Sequence, residues 1–200
     1  MTNQETNIKI ISEKRILDVP HTPVDQVTFT NWNYIEHKYN IVRRKKAICI
    51  LFETDDRFIW TIIQFRHAVG QILDECVAGQ IEIWENPITC AQKELLEEAW
   101  YAVDAKDLQV ITNIYTSSGF TDEELILMIG QNAKFVGRED SHEASEDINL
   151  VKRSRDEFVK WYKDGVNANS IRESKFDIII MRWAVQWNKL CKELLSMIMI

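Results

Sequence analysis

The sequence predicts a mixed α/β sandwich preceded by a small β-rich lobe. Three observations support this fold class. The dense apolar segments AICILF and FIWTIIQF, typical of strands, precede one amphipathic helix, and further strand patterns follow that helix. Two more helical patterns lie near the end of the chain. Strands on both sides of one helix, with helices at the end, are typical of a sheet that is covered by helices.

Residues 1–45 form the predicted lobe. The segments IKII, VTFT and YIEHKYNIV are rich in β-forming residues and surround a turn-prone stretch, Val19–Pro23. We therefore expect a strand meander here. A chain of 200 residues, 46% of them hydrophobic, is long enough to bury one sizeable core. Residues 46–200 are predicted to form this main domain.

The elements of the main domain follow in order. The strands AICILF and FIWTIIQF are joined by a turn at Glu53–Arg57. After a polar loop, the patterns predict a helix, two strands, a charged loop and two final helices: Ile88–Val103, Leu108–Tyr115, Leu125–Gly130, Arg138–Asp147, Ser154–Lys163 and Phe176–Leu195.

The composition excludes several classes of function. A net charge of −7 and a pI near 5.2 argue against nucleic acid or an anionic membrane as a partner, because both bind basic surfaces. The four cysteines are scattered, with neither zinc-site spacing nor the density of a disulfide scaffold. With no signal-peptide pattern at the start and no run of about 18 apolar residues, we expect a soluble, cytoplasmic protein.

The helix that begins near Ile88 has a single apolar stripe. Ala91, Leu95, Ala99 and Ala102 fall within one narrow sector at about 100° per residue. We expect this stripe to face the sheet.

Three carboxylates lie beside that stripe. Glu94, Glu97 and Glu98 are spaced i, i+3 and i+4, so their like charges are close together and destabilise the helix unless a cation neutralises them. Mg²⁺ suits such a cluster, since it takes oxygen ligands and leaves positions for water and substrate phosphate. On its own, the pattern is usually a solvated acidic face.

The residues around these glutamates carry a family resemblance. Gly79, Glu85 and the segment Lys93–Tyr101 resemble the Nudix box, G-x5-E-x7-R-E-U-x-E-E-x-G-U, where U is a bulky apolar residue. All four glutamates are at the family spacing. Lys93 replaces the usual arginine and keeps its positive charge. Trp100 replaces the usual glycine and favours a helix that continues further, because tryptophan resists a left-handed turn.

The resemblance implies a fold, a cofactor and its ligands. The fold is a Nudix-type α/β/α sandwich with a mixed sheet. The cofactor is Mg²⁺, with Mn²⁺ as a possible substitute. The implied metal ligands are the backbone carbonyl of Ala78 and the side chains of Glu94, Glu97 and Glu98.

Two motifs before the box are similar to those of the ADP-ribose and nucleoside diphosphate sugar pyrophosphatases. Gln64-Phe65-Arg66 resembles the Q-F/Y-R of that branch, whose arginine contacts substrate phosphate, although a lone arginine at a strand end is also a common surface feature. Leu73-x-Glu75-x-Val77-Ala78-Gly79 resembles L-x-E-x-x-A-G. In this motif Glu75 either contacts substrate or supports the structure.

A loop after the box extends the resemblance. Tyr115–Glu123 is similar to the branch's Y-x-S-P-G-x-T/S-x-E loop, with Ser118 in place of proline. The resemblance implies that Ser117, Gly119 and Glu123 bind substrate. A serine and glycine loop is otherwise a simple turn.

The general base and a base-stacking aromatic are implied in the same way. The segment from Glu143 to Ile148 is similar to the branch's late E-x-E-D-I loop, so the base is Glu146 or Glu143, with Glu98 as the third candidate. The alternative is a solvated acidic loop. An aromatic residue of the N-terminal lobe stacks on the nucleobase in this branch, which implies Trp32 or Phe29.

The predicted function is therefore Mg²⁺-dependent hydrolysis of the pyrophosphate in a nucleoside diphosphate sugar, with ADP-ribose favoured, to a nucleoside monophosphate and a sugar phosphate. One alternative is a Nudix hydrolase of another nucleoside diphosphate derivative. The other is a Nudix-like module that senses a nucleotide without turnover. The resemblance also implies a homodimer, for which the β-rich lobe offers an interface.

Overall fold

The structure, a computed structural model, describes residues 8–137, 148–167 and 177–180. The chain divides into two compact units. The lobe unit consists of Met1–Lys46 and Tyr115–Glu124, and the sheet unit consists of Ala47–Ile114 and Leu125–Ile200.

The lobe unit contains a three-stranded antiparallel sheet in the order β1-β2-β3. Its strands are β1 (Lys9–Leu17), β2 (Val24–Thr30) and β3 (Glu36–Val42). The β2–β3 turn is closed by Asn31, whose side-chain oxygen accepts hydrogen bonds from the backbone N–H groups of Asn33 and Ile35, both at 3.0 Å. This arrangement is the strand meander predicted from the sequence.

A buried carboxylate fixes this small sheet. Asp25 of β2 is almost fully buried and accepts hydrogen bonds from the Nε atoms of Arg15 and Arg43. The hydrogen bond from Arg15, followed by that from Arg43, lowers the pKa of Asp25 to about 2. Arg43 also pairs with Glu13 and Asp122, so one guanidinium joins β1, β2 and the segment 115–124.

The sheet unit is built on an eight-stranded mixed sheet with the path β11-β5-β4-β10-β8; β6 pairs with β5, β7 with β4 and β9 with β10. Strands β4 and β10 run parallel, whereas β4 runs antiparallel to β5 and β7. The elements are β4 (Ala47–Thr54), β5 (Phe58–Arg66), β6 (Gln71–Glu75), β7 (Val77–Gln80), α1 (Pro87–Ala99), β8 (Tyr101–Ala102), β9 (Leu108–Tyr115), β10 (Glu124–Phe135), β11 (Ile148–Ser154) and α2 (Arg155–Asn167).

Two hydrophobic cores cover the two faces of this sheet. Side chains alternate along β4, so Cys49 and Leu51 pack with Phe158 of α2, while Ile50 packs with Leu95 of α1. A strand that is apolar on both faces is typical of a sheet between two helical layers. The predicted mixed α/β sandwich is confirmed.

Helix α1 ends four residues earlier than the sequence predicted. It begins after Asn86, whose side-chain oxygen accepts a hydrogen bond from the N–H of Thr89 at 2.9 Å. Pro87 is the first residue of the helix, a position whose N–H has no partner within the helix. It ends at Trp100, which adopts a left-handed backbone with φ 59°. The expectation that tryptophan would prolong the helix to Val103 is wrong.

The buried stripe of α1 shifts accordingly. Ala91, Leu95 and Ala99 are buried as predicted, and Cys90 joins them. Ala102 lies beyond the helix, in β8, and is exposed. The stripe ends with the helix because Trp100 turns the chain into a strand.

The final helices are described in part. Helix α2 begins at Arg155, one residue after the predicted start, and runs past the predicted end at Lys163 to Asn167. Ser154 is the last residue of β11. Of the predicted helix Phe176–Leu195, residues 177–180 are helical and the others lie outside the described residues. None of the helices in the described ranges is long and apolar enough to cross a membrane.

Because the backbone of Trp100 is left-handed, we expect glycine at this position to give a more stable protein than alanine, the reverse of their usual order in helices. Replacement by glycine and by alanine removes the same indole, but only glycine adopts this conformation without strain. We expect Trp100→Gly to be more stable than Trp100→Ala by about 1 kcal/mol in urea unfolding, although alanine is normally favoured within helices. An alanine variant of equal or greater stability would contradict the left-handed assignment.

The depressed pKa of Asp25 predicts a pH-dependent contribution to stability. Its charged form stabilises the folded state fully above the unfolded pKa of about 3.9, and this contribution is lost as the pH falls through about 2. We therefore expect Asp25→Asn to lower the urea midpoint by a constant amount between pH 5 and 8. The difference from the wild type should shrink below about pH 4. A difference that does not change with pH would rule out the ion-pair account.

Candidate active site

The site begins with a close approach between strand β7 and helix α1. Gly79 pairs with Ile48, whose side chain belongs to the core beneath α1, so a side chain at position 79 would also point toward α1. A Cβ atom there would lie 2.0 Å from Cδ of Glu94. A side chain at position 79 would therefore displace this carboxylate.

Glu98 reaches the same strand one turn later. Its Oε2 accepts a hydrogen bond from the backbone N–H of Ala78 at 3.4 Å. Glu97 is exposed to solvent, and its charge raises the pKa of Glu94. The structure therefore places Glu94 and Glu98 against Gly79 and Ala78 where β7 meets α1, whereas Glu97 is exposed on α1.

The electrostatics of Glu94 are unfavourable without a cation. Burial raises the pKa of Glu94 above its usual value, and the charges of Glu97 and Glu85 raise it further. Lys93 partly offsets this, with Nζ 3.3 Å from Oε1 of Glu94. Lys93 thus neutralises part of the negative charge of the acidic cluster, in line with the role expected from its positive charge.

The donor set at this junction fits Mg²⁺. Carboxylate and carbonyl oxygens are hard ligands, and the buried, partly uncompensated charge of Glu94 is stabilised by a divalent cation. Within the described ranges, no three acidic, histidine or cysteine side chains converge into a ready cage. Mg²⁺ does not require one, because it usually binds through one or two carboxylates and fills its shell with water and phosphate.

The turn between β7 and α1 lies against this cluster. The N–H of Glu85 donates to the carbonyl of Glu82, and the N–H of Glu82 donates to Oε2 of Glu85, both at 3.0 Å. Burial, followed by the charge of Glu85, raises the pKa of Cys90 to about 12. The Cys90 thiol donates a hydrogen bond to the carbonyl of Gln80 at 3.5 Å. Trp84, within the turn, has a left-handed backbone with φ 74°.

Arg66 and Glu75 form a bidentate ion pair across the β5–β6 hairpin. Nε of Arg66 lies 2.7 Å from Oε1 of Glu75, and Nη2 lies 2.5 Å from Oε2. Glu75 is completely buried, whereas Arg66 is partly exposed at the end of β5. Since Glu75 pairs with Ile62, the ion pair lies on the face of the sheet that α1 covers. The buried carboxylate fixes the plane of the guanidinium.

The loop 115–124 is held by a complementary run of charges in the lobe unit. Its acidic residues pair with the basic segment that follows β3, and each contact joins one anion to one cation. The side-chain contacts are Asp122–Arg43 at 3.0 Å, Glu123–Arg44 at 3.1 Å and Glu124–Lys46 at 2.8 Å. Oε2 of Glu123 also accepts a hydrogen bond from the hydroxyl of Thr116 at 2.8 Å, which closes the base of the loop.

The tip of this loop is a turn around Ser117. The Ser117 carbonyl accepts hydrogen bonds from the N–H groups of Phe120 and Thr121, both at 3.1 Å. Gly119 lies within the turn, and its carbonyl accepts a hydrogen bond from the hydroxyl of Tyr39. Its backbone is not left-handed, and a Cβ atom there would meet no described atom within 4 Å. Neither strain nor crowding requires glycine at this position.

The aromatic residues proposed for base stacking differ in their surroundings. Phe29 stacks on His37, with ring centroids 5.7 Å apart. Trp32 is largely exposed in the β2–β3 turn. The lobe unit also contains an open cavity of about 320 Å³, lined in part by Tyr39, Tyr115 and Phe120.

The remaining predicted residues, Glu143 and Glu146, lie outside the described residues. Sequence reasoning missed two other features. The Arg66–Glu75 pair was visible only as two separate motifs, because their contact depends on the strand register. Trp84 was not singled out, since nothing in the pattern E-I-W-E indicates a left-handed turn.

Comparison with known proteins identifies a family. The sequence model described as NUDIX domain matches residues 42–173. The chain is 36% identical over 110 residues to an ADP-ribose pyrophosphatase of Bacillus subtilis, covering 55% of this chain and 57% of that protein. It is 30% identical over 111 residues to an ADP-ribose pyrophosphatase of Mycobacterium tuberculosis, covering 55% and 53%. The match spans little more than half of either relative.

Two further matches cover more of the chain. A methanol dehydrogenase activator of Bacillus methanolicus is 26% identical over 141 residues, covering 70% of this chain and 74% of that protein. A crystal structure described as an ADP compounds hydrolase superposes with a TM-score of 0.71, covering 90% of this chain and 95% of the other. At 15% identity, this structural likeness shows the fold alone.

Two glycine-to-alanine variants should change stability in opposite directions. The added methyl group in Gly79→Ala takes the space of the Glu94 carboxyl group, so we expect a loss of about 1 kcal/mol in urea unfolding, at the low end for overpacking because only the end of one side chain must move. In Gly119→Ala it meets nothing and restricts the unfolded chain, so we expect a gain of about 0.4–1 kcal/mol. A Gly79→Ala variant as stable as the wild type would show that Glu94 does not depend on this contact.

Proposed function

Since the chain belongs to the Nudix family, we propose that it is a Mg²⁺-dependent pyrophosphatase that hydrolyses a nucleoside diphosphate sugar, with ADP-ribose as the favoured substrate. The observation that carries this proposal is the junction of β7 and α1, where Glu94 and Glu98 contact Gly79 and Ala78. The two relatives named ADP-ribose pyrophosphatases support the choice of substrate.

The proposed reaction is hydrolysis of the bond between a phosphorus atom and the bridging oxygen of the diphosphate. A water oxygen forms a new bond to phosphorus, the bridging P–O bond breaks, and the bridging oxygen leaves with the second phosphate. The water's proton passes to a general base. ADP-ribose thus yields AMP and ribose phosphate. The negative phosphates repel the nucleophile, so cations around them lower the barrier.

Residues of the sheet unit are proposed to provide these positive charges. Glu94, Glu97, Glu98 and the carbonyl of Ala78 would hold Mg²⁺, which when bound neutralises phosphate charge and polarises the P–O bonds. Arg66 contributes a further positive charge for the phosphates. Its guanidinium is oriented in advance by the buried Glu75, so little conformational freedom is lost on binding.

The general base remains a choice among three glutamates. The family resemblance favours Glu146 or Glu143 for accepting the water's proton. Glu98 is the third candidate, because it is half-buried beside the strand that carries Ala78. Substitution of each glutamate by glutamine distinguishes them through the pH dependence of kcat.

The loop 115–124 is proposed to contact the substrate through Ser117 and Gly119. Support comes from Gly119, where the fold does not require glycine and the absence of a Cβ atom leaves the backbone open to the approach of a ligand. Glu123 contributes indirectly, since its carboxylate is engaged by Arg44 and Thr116 and closes the base of the loop. From the family resemblance, Trp32 is a candidate for contact with the nucleobase.

The proposal extends to assembly and location. Strand β1 exposes several large apolar side chains, including Ile10, Ile16 and Leu17. Exposed apolar surface of this kind favours association, so we propose that a second copy covers it in a homodimer. We place the enzyme in the cytoplasm.

The function is tested by incubating the protein and Mg²⁺ with ADP-ribose, UDP-glucose, GDP-mannose, dinucleotides and nucleoside triphosphates, and separating the products by chromatography. We expect AMP and ribose phosphate from ADP-ribose. Glu97→Gln and Glu98→Gln should each lower kcat by about a hundredfold or more, because each removes charge that holds the metal. The same change at the exposed Glu36 of β3 should leave kcat unchanged.

Other outcomes would replace the proposal. Cleavage of a different compound in the panel would keep the enzyme class but change the substrate. If no compound is cleaved and ADP-ribose only raises the melting temperature, the chain is a nucleotide-sensing module. Unchanged rates in both glutamine variants would remove the metal site from α1.

A further inference from the structure

The turn that leads into α1 places a tryptophan where glycine is normally required. The N–H of Glu85 donates to the carbonyl of Glu82, so Ile83 and Trp84 are the two central residues of a β-turn. Trp84 has a φ of 74°, whereas Ile83 is not left-handed. This is the pattern of a type II turn, whose third residue is usually glycine or asparagine. A bulky residue in this conformation is strained.

The Trp84 side chain buries no surface against the described part of the fold. The Trp84 side chain is 100% exposed, and the neighbouring Ile83 is 78% exposed. An indole contributes to stability by burial, and this one buries no area within the described structure. Strained backbone and an exposed aromatic ring at one position together indicate a role outside folding.

The turn is anchored beside the acidic cluster. Oε2 of Glu85 accepts a hydrogen bond from the N–H of Glu82, and the next residue, Asn86, caps α1 by accepting from the N–H of Thr89. The charge of Glu85 also acts on Glu94. At a rise of about 1.5 Å per residue, Glu94 lies about 10 Å along the helix from Pro87. A substrate whose diphosphate is bound at Glu94 carries a nucleoside of about this length. Its nucleobase is therefore able to reach the turn.

We propose that Trp84 stacks on the nucleobase of the substrate and contributes to specificity for the nucleoside half. Trp32, the candidate from the family resemblance, is the alternative. This inference rests on the proposed function, because it takes the diphosphate to be held at α1. Every nucleobase presents a flat π-face, and stacking on an aromatic side chain needs no hydrogen-bonding group on the protein. The neighbouring carboxylates disfavour a second phosphate at the turn, whereas a base carries no negative charge.

The test compares Trp84→Phe and Trp84→Gly with the wild type. In Mg²⁺-dependent hydrolysis of ADP-ribose, Trp84→Gly should raise KM about tenfold or more with kcat little changed, while Trp84→Phe should stay close to the wild type. By calorimetry with Mg²⁺ present, Trp84→Gly should weaken binding of AMP by a similar factor and leave binding of ribose 5-phosphate unchanged.

Folding is controlled within the same experiment. Trp84→Gly relieves the left-handed strain, so its melting temperature should rise even as AMP binding weakens. His21→Gly is the matched control, since His21 is also an exposed aromatic residue in a left-handed turn, with φ 64°. It should raise the melting temperature without changing KM or AMP binding.

Each contrary result has a distinct meaning. If the wild type hydrolyses ADP-ribose and Trp84→Gly keeps its KM and AMP affinity, the stacking role is wrong and the proposed function stands. The same holds if only Trp32→Ala weakens AMP binding, or if Trp84→Gly changes self-association in gel filtration instead of affinity. If the wild type neither cleaves nor binds any nucleotide, the proposed function and the stacking role both fail.

Discussion

The carboxylate of Glu94 occupies the space that a side chain at position 79 would need. This close approach joins strand β7 to helix α1, and the remaining parts of the candidate site depend on it. With the helix held at this distance, Glu98 reaches the backbone of Ala78. The glycine is therefore required for packing between strand and helix and not for a left-handed loop, since it lies within β7.

Placing these carboxylates together has an electrostatic cost that the fold reduces only in part. Burial and the neighbouring glutamates disfavour the charged form of Glu94, and Lys93 compensates incompletely. The charge of Arg66, in contrast, is compensated, because the fully buried carboxylate of Glu75 pairs with its guanidinium and orients it. An uncompensated anionic cluster and an oriented cation on the same face of the sheet suit a ligand that brings both a metal ion and negative phosphates.

Much of this arrangement was predictable because its signals are local. The alternation of β4, the stripe of α1 and the spacing of Glu94, Glu97 and Glu98 follow from the periods of strands and helices. The end of α1 was not predictable, since Trp100 adopts a conformation that its side chain disfavours. The contact between Arg66 and Glu75 was also missed, because it depends on the register of two strands. Trp84 was missed for a similar reason, because its exposure and its left-handed backbone are properties of the folded turn and cannot be read from the sequence.

We propose that the carboxylates of α1, set in place by Gly79, hold the cation that hydrolysis needs. The most direct measurement is the initial rate of AMP release from ADP-ribose as a function of Mg²⁺ concentration, for the wild type and for Gly79→Ala at a temperature where both are folded. We expect no AMP release without a divalent cation and, in the wild type, a rate that saturates as the Mg²⁺ concentration rises. In the variant, the half-saturating Mg²⁺ concentration should be about tenfold or more higher, because displaced ligands lose metal affinity. Release that is independent of Mg²⁺, or identical Mg²⁺ dependence in both proteins, would contradict it.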